Sequence, residues 1–438
     1  MTNVRVRIAP SPTGFLHIGR TRTILFNYLF AKKYGGKMIF RIEDTDKARS
    51  KKEYQEDILQ GLDWLGIAYD EGPFLQSERT ALYQKYIHDL IEKGNAYEAE
   101  ESTEGGGKVI RLKNRNEKVT FQDHIRGEVT IDTTDLGDFI IARNINEPLY
   151  NFTVVVDDHE MKITHIIRGD DGISNTPRQI LIQEAIGAIR PEYAHVPLIL
   201  GSDRSKLSGR HGAVSLNEYR KAGYLPEAMI NYLALLGWHP EGTHGEKEPE
   251  IFSLNELIKS FDISRIQKGG AMMNLEKLNW INKHYIDNLS DEAFLDHARQ
   301  FVTSEVGKSL DIFGKVFRGR ISYFSQISDE LKSIFEPPEY PGDLLLWNGK
   351  LEKNNVSETL DMLYKKLSEL SESHFEDFSK LEAAISPFFQ ERARGGVLWP
   401  LRAALSGKRA SLGPFELALV LGKEKSLERI TIAQKKLS

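Results

Sequence analysis

Val4, Val6 and Ile8 alternate with Arg5 and Arg7, a period-two pattern that predicts a strand ending at Pro10 and Pro12. The next stretch, Thr13-Gly14-Phe15-Leu16-His17-Ile18-Gly19, breaks the alternation with two glycines and predicts a loop. Ile24, Leu25, Tyr28 and Leu29 then fall at helical spacing, an amphipathic run, and Met38 to Ile42 predicts a second strand. Strand, small-residue loop, helix, strand is the opening of a βαβ unit. In open α/β sheets ligands lie at the carboxyl ends of the strands, where N–H groups at a helix start can receive a phosphate.

Along the rest of the chain, Ile58, Leu59, Leu62 and Leu65 predict a helix stopped by Gly66, with Asp44 and Asp46 as its caps. Gln76-Ser77-Glu78-Arg79 predicts the start of another, capped by Ser77 and running from Leu82 to Ile91. The stretch from Glu100 to Gly107 reads as a loop, followed by strands at Val109–Leu112, Glu128–Ile131 and Phe139–Ala142. Val154 to Val156 predicts a buried strand ended by Asp157 and Asp158, and Ile163 to Arg168 a further one. Asn175 to Gly187 reads as a capped helix, Leu225 to Trp238 as an apolar helix, and Glu241 to Glu250 as a polar loop. Beyond about residue 287 the spacing is helical, with a loop marked by Pro337-Pro338 and Pro341-Gly342. The alternation implies a doubly wound, largely parallel α/β sheet followed by an all-α region.

Composition narrows the chemistry. A chain of 438 residues with no cysteine has no disulfide, no thiolate nucleophile and no thiolate metal site. Forty per cent hydrophobic and 28% charged residues suit a soluble protein of more than one domain. With no apolar run near a membrane span, and a first strand at the start of the chain, a cytoplasmic protein that engages no membrane is expected. A net charge of −5 gives no overall attraction to nucleic acid. Lys108, Arg111, Lys113, Arg115, Lys118 and Arg126, against Glu117 and Asp123, are the local exception. They read equally as a solvated face of a small β insertion or as a phosphate-contacting surface.

Pro10-Ser11-Pro12-Thr13-Gly14, His17-Ile18-Gly19 and Arg41-Ile42-Glu43-Asp44-Thr45-Asp46, in this order, resemble the glutamyl-tRNA synthetases. The first signature of these class I enzymes is His-hydrophobic-Gly-His, and Arg20 stands at its second histidine. Ser205-Lys206-Leu207-Ser208-Gly209-Arg210 resembles the second signature, Lys-Met-Ser-Lys-Ser, which this family usually writes Lys-Leu-Ser-Lys-Arg. Gly209 replaces the second lysine. Trp399 to Gly407 and Gly413 to Lys423 resemble the anticodon-binding end of bacterial members.

The resemblance implies a Rossmann-like catalytic domain in two halves, 1–78 and 149–200, around an acceptor-end-binding α/β insertion at 79–148. A signature-loop and stem-contact region follows at 201–287, then a helical anticodon-binding domain at 288–438. Many bacterial members hold zinc in the insertion through cysteines; this chain has none, so neither zinc nor any resident metal site is expected.

It implies, too, ATP-dependent attachment of L-glutamate to tRNA(Glu) through a glutamyl-adenylate, by a monomer, with Mg²⁺ accompanying ATP. His17 and Lys206 become the catalytic candidates. Pro10, Thr13, Gly14, His17, Gly19, Lys206, Ser208 and Arg210 would bind ATP, and Arg7, Ser11, Glu43, Tyr150 and Arg168 would bind glutamate. The glutamate roles fit its chemistry: two carboxylates call for guanidinium forks, one ammonium for an acidic partner. Lys108, Arg111 and Lys113 become tRNA contacts. Two alternatives stay open: glutamate placed on tRNA(Gln), alone or besides tRNA(Glu), and a tRNA-binding paralogue impaired by Gly209. A cytidylyltransferase would share the first signature but needs neither Arg41 to Asp46 nor a helical extension.

Overall fold

β1 (Arg5–Ile8) ends before the prolines, and α1 (Ile18–Lys33) starts at the histidine rather than near Ile24. The helix can begin there because His17, extended at the cap position, accepts the Gly19 N–H on Nδ1 at 2.9 Å. A side chain at residue 19 would crowd that ring, its Cβ coming within 3.0 Å of Nδ1. Nor is α1 amphipathic: Ile24 to Ala31 are buried without interruption, so it is packed on all sides. In this computed structural model the described residues are 3–101, 107–209, 215–241, 250–302, 316–336, 338–347 and 349–437.

β2 (Lys37–Ile42) lies parallel to β1 with Val6 opposite Met38 and Ile8 opposite Phe40. After α2 (Lys52–Trp64), β3 (Glu71–Leu75) joins the other edge of β2, also parallel. The expected caps fall elsewhere. Lys51 precedes α2 without a side-chain cap bond, and Asp46 accepts from Arg49 Nε at 2.7 Å. Asp44 takes the Ser77 N–H at 2.8 Å and the Ser77 hydroxyl at 2.6 Å. Ser77 is therefore spent on a neighbouring loop and does not cap α3 (Thr80–Glu92), which follows a 3₁₀ turn at Gln76–Arg79.

β4 (Ala96–Glu101) and β5 (Gly107–Leu112) form an antiparallel pair, so the strand begins where the sequence reads loop; residues 102–106 of that loop lie outside the described residues. β6 (Lys118–Asp123) and β7 (Gly127–Asp132) are a second hairpin, and β8 (Phe139–Ala142) pairs with β5. The largest correction is α4 (Tyr150–Glu160): the three valines expected as a strand are helical. Phe152 to Asp158 are buried around the whole helix, and burial on every side overrides the β preference of valine. Asp157 and Asp158 thus point into the interior instead of ending a strand.

β9 (His165–Gly169) agrees with expectation, as does α5 (Thr176–Ile186), with Pro177 in its first turn and Gly187 left-handed at φ 73°. The Asn175 side chain makes no cap bond. β10 (Glu192–Val196) lies parallel to β9 and to β6. Thr164 N–H donates to Arg5 O at 2.9 Å, joining the β3-β2-β1 sheet to β9-β10-β6-β7. The result is the doubly wound parallel sheet, closed on one side by the antiparallel β7. Ile39, Phe121, Phe152, Val156, Ile166, Ile180 and Tyr193 share one apolar core beneath it.

A short parallel pair, β11 (Ile199–Leu200) and β12 (Ala271–Met272), accompanies α6 (Leu216–Lys221), α7 (Pro226–Leu235), α8 (Leu254–Ser260) and α9 (Leu275–Asp287). The polar loop expected at 241–250 falls, at 242–249, outside the described residues. The chain divides into two compact units between Ile281 and Asn282. The second is helical, with segments at Gln326–Phe335, Lys353–Glu369, Arg394–Ser406 and Pro414–Leu437 packed through Leu331, Leu360, Leu363, Leu405 and Ile430. Pro341 leads into a 3₁₀ turn at Gly342–Leu346; Pro337 lies outside the described residues. No described helix is long and apolar enough to cross a membrane.

Candidate active site

The strand order reverses between β1 and β9, and a cleft of about 570 Å³ opens there at the carboxyl ends of the strands. Arg7, Pro10, Ser11, Thr13, Gly14, His17, Gly19, Glu43, Tyr150, Arg168 and Lys206 all line it. Residues up to 199 apart in sequence are thus brought to one cavity. Ser208 does not line it, and Arg210 lies outside the described residues.

At one end stand the two glycine-bearing loops. His17 sits between them: besides the Gly19 N–H, its ring has a backbone hydrogen bond with Leu207. Burial, then the nearby Arg20 and Lys206 charges, holds its pKa below the ordinary histidine value. Arg20 reaches back to Ser11 O at 2.9 Å, and Lys206 is exposed with no ion pair among the described residues. Arg22, which the sequence did not single out, lies buried against the same cleft and donates to Leu236 O at 3.0 Å and to Pro197 O. Burial lowers its pKa to about 10, so it stays charged at neutral pH.

The other end is guanidinium-rich. Arg7 is 5% exposed and makes one ion pair, Nε to Asp158 Oδ1 at 3.3 Å. Among the described residues its guanidinium donates no hydrogen bond, and Nε, though paired in charge, is buried without a hydrogen-bond acceptor. Arg168 is fixed from three sides: Nε donates to His195 Nε2 at 3.0 Å, Nη1 to Gln179 Oε1 at 2.8 Å and Nη2 to Thr176 Oγ1 at 2.8 Å. One N–H on each Nη remains. Gly172 completes the seat, since a Cβ there would stand 2.6 Å from Arg168 Nε.

Glu43 accepts from Arg41 Nη2 at 3.1 Å. Burial raises its carboxyl pKa even though Arg41 and Arg7 pull the other way. Arg41 is wholly buried; burial opposes its charge, but Asp158 at 2.8 Å, Glu43 and Asp157 together hold its pKa above the ordinary arginine value. Tyr150 is 40% exposed at the cleft.

Behind Arg168 is a relay the sequence reading missed. His195 Nε2 must accept from Arg168, so its proton is on Nδ1, which meets Asp123 Oδ2 at 2.6 Å. Asp123 also receives the N–H groups of Ile125 and Arg126. Burial works against its charge, but the bonds from His195 and these amides keep its pKa below the carboxylate range. Burial, against the pull of Asp123, lowers that of His195. The signal was present: His195 alternates with apolar neighbours in a strand, a polar residue where the core lies.

The His195 shift has a sign that can be checked. Below the unfolded histidine value of about 6.5, the unfolded chain takes up a proton that buried His195 refuses, so stability falls as pH falls. His195→Asn is expected to lose less denaturation midpoint between pH 7.5 and 5.5 than wild type, measured in urea. Equal losses would remove His195 from the explanation.

The basic stretch is less free than its composition suggests. Lys108 pairs with Glu98 at 3.0 Å, Arg111 donates to Asp138 O at 2.7 Å, and Arg115 lies 3.6 Å from Glu184. Arg126 is bound to Asp170 and turns toward the catalytic sheet, while Lys113 is exposed. The carboxylates of Glu98, Glu184 and Asp170 and the Asp138 carbonyl, all outside the stretch, supply the partners that a local count could not see.

Comparison with known proteins agrees with this geometry. Residues 3–105 and 98–280 match the family of tRNA synthetases class I (E and Q), catalytic domain, and residues 293–434 an anticodon binding domain. A glutamate–tRNA ligase of Aquifex aeolicus is 41% identical, covering 100% of both chains. One of Geobacter sulfurreducens is 40% identical over 98% of each. A solved structure of a glutamate tRNA ligase from Elizabethkingia meningosepticum, in complex with its amino acid, superposes with a TM-score of 0.83 at 30% identity and full coverage of both chains.

Proposed function

The chain belongs to the family of class I tRNA synthetases for glutamate and glutamine, and we propose on that premise that it charges tRNA(Glu) through a glutamyl-adenylate. It is a ligase that attaches glutamate to tRNA at the expense of ATP. The observation that carries the reading is Arg7, a buried guanidinium on the cleft with its N–H groups unspent.

Glutamate presents one carboxylate to Arg7 and the other to the two remaining N–H groups of Arg168. Its ammonium faces Glu43, with the Ser11 and Tyr150 hydroxyls beside it. Desolvated Glu43 gains more from that cation than an exposed carboxylate would. ATP lies along Pro10, Thr13, Gly14 and Gly19, its phosphates near His17 and Lys206, with Ser208 and Arg210 on the same loop. A glutamate carboxylate oxygen attacks the α-phosphorus as the bond to pyrophosphate breaks. A terminal ribose hydroxyl of the tRNA then attacks the acyl carbon, loses its proton, and AMP leaves. Alignment and charge stabilisation do the work, and no covalent enzyme intermediate is needed.

Mg²⁺ accompanies the ATP. Glu43 and Asp171 are the carboxylates lining the cleft, and Glu43 is engaged by Arg41, so phosphate oxygens and water suit the ion's shell. Lys108, Arg111 and Lys113 contact the acceptor end; an exposed pair such as Lys108–Glu98 is worth about 0–1 kcal/mol and yields to a phosphate.

The test is aminoacylation with labelled glutamate on separate tRNA(Glu) and tRNA(Gln) transcripts. Charging of tRNA(Glu) is expected; charging of tRNA(Gln) alone would overturn the assignment. Gly209→Lys belongs in the same experiment. Among the described residues a Cβ at Gly209 meets nothing within 4 Å. The substitution is expected to raise kcat by up to about 10²-fold with KM for glutamate unmoved. A fall in kcat would mean the loop is built around the glycine.

A further inference from the structure

Away from the cleft, three side chains converge at the amino-terminal ends of β9 and β10. His165 and Glu192 are direct register partners on these strands. His124 follows β6 on the other flank of β10 and donates its N–H to Tyr193 O at 2.8 Å. One ligand atom from each lies within 4.8 Å of the others. His124 Nε2 is 2.6 Å from Glu192 Oε2, and His165 Nε2 is 3.5 Å from the same oxygen.

An ordinary ion pair accounts for His124 and Glu192. It does not account for His165, whose side chain is 7% exposed and whose Nε2 is buried with no hydrogen-bond partner. Its Nδ1 lies 2.8 Å from Thr164 Oγ1, a hydroxyl that accepts the Arg5 N–H at 2.8 Å and lies 3.1 Å from Arg5 O. With the hydroxyl proton given to Arg5 O, Nδ1–H becomes the donor to Thr164. The Nε2 lone pair is then aimed at a carboxylate oxygen. Two electron-rich atoms facing each other at that separation favour a cation between them.

We propose that His124, His165 and Glu192 bind a divalent first-row transition ion of the zinc class. Two imidazoles and one carboxylate are the donors such ions select, whereas Mg²⁺ and Ca²⁺ prefer oxygen alone. Tetrahedral ligands at zinc distances stand about 3.3 Å apart, so the 2.6 Å His124–Glu192 pair has to open by less than about 1 Å, and the His165–Glu192 separation of 3.5 Å already suits them. Water reaches the fourth position past His124 and Glu192. Thr164 fixes the His165 tautomer from outside, as outer partners of metal-bound histidines do. The ion ties β6, β10 and β9 across their shared edge. Its ligand His124 directly follows Asp123, the carboxylate that anchors the His195–Arg168 relay. No cysteine takes part, so this site is separate from the thiolate zinc that the sequence excludes.

The experiment uses the full chain without an affinity tag, stripped with EDTA, desalted and kept free of ATP. Zn²⁺ is titrated in competition with a chromophoric chelator, and Co²⁺ is followed by its visible d–d absorption. Wild type is expected to take up one ion per chain, with a Co²⁺ band of low-coordinate intensity. His124→Ala and Glu192→Gln are each expected to weaken binding by at least about 10–100-fold, the loss an outer partner alone produces. Both side chains are exposed, so unchanged melting of the metal-free variants shows that the fold survives. His88→Ala, an exposed histidine elsewhere, should bind as wild type does. No stoichiometric binding in wild type, or binding that survives both ligand substitutions, overturns the proposal.

Discussion

Arg7→Ala is expected to lower kcat/KM for glutamate by roughly 10²–10³-fold while KM for ATP stays near wild type. The size follows from burial. A guanidinium shielded from water meets a carboxylate with charge-assisted bonds, and losing it strands the substrate's charge at a cost of about 2–5 kcal/mol. The fold should survive, because Asp158 keeps Arg41 at 2.8 Å when Arg7 is gone. Arg7→Lys separates charge from shape: it restores a cation without the planar fork and is expected to fall between the two. Steady-state aminoacylation with glutamate varied at saturating ATP and tRNA makes the measurement. A loss shared equally between glutamate and ATP would take Arg7 out of the amino-acid pocket.

The second large effect is at Lys206. Lys206→Ala is expected to cost about 10²–10³ in kcat with KM for glutamate unchanged, as removal of a preorganised charge at the leaving group does. Gly209 supplies no cation where the family has its second lysine, which leaves Arg210 as the other charge assigned to ATP on this loop. Single-turnover charging, with the enzyme in excess over tRNA, isolates the chemical steps from product release. A drop below about tenfold would assign pyrophosphate stabilisation to other groups, with Arg20 and Arg22 also lining the cleft.

Much of this was legible from residue patterns. The βαβ opening follows from Val4 to Ile42, and the two glycine-bearing loops stand out by their letters, though their meeting at His17 does not. What escaped the sequence was decided by partners far along the chain. The valines of α4 have the strand preference, and only burial on all sides makes them helical. Ser77 looks like a cap until Asp44, 33 residues away, claims its hydroxyl. Arg168 reads as a fork from the sequence, yet of the groups that aim it only His195 leaves a local trace, and Gln179 and Asp123 carry none. They matter through geometry alone.

The bond from Thr164 to Arg5 has a consequence for how the chain comes off the ribosome. Arg5 and Thr164 are 159 residues apart, and β1 has its second neighbour only when β9 arrives. At 5–20 residues per second, β1 therefore waits roughly 10–30 s with one edge unpaired. That edge is short, four residues, and carries Arg5 and Arg7 at alternate positions. Charge repeated along a brief strand discourages pairing with a neighbouring nascent chain. The arginine held ready for substrate in the finished protein also guards the half-made one.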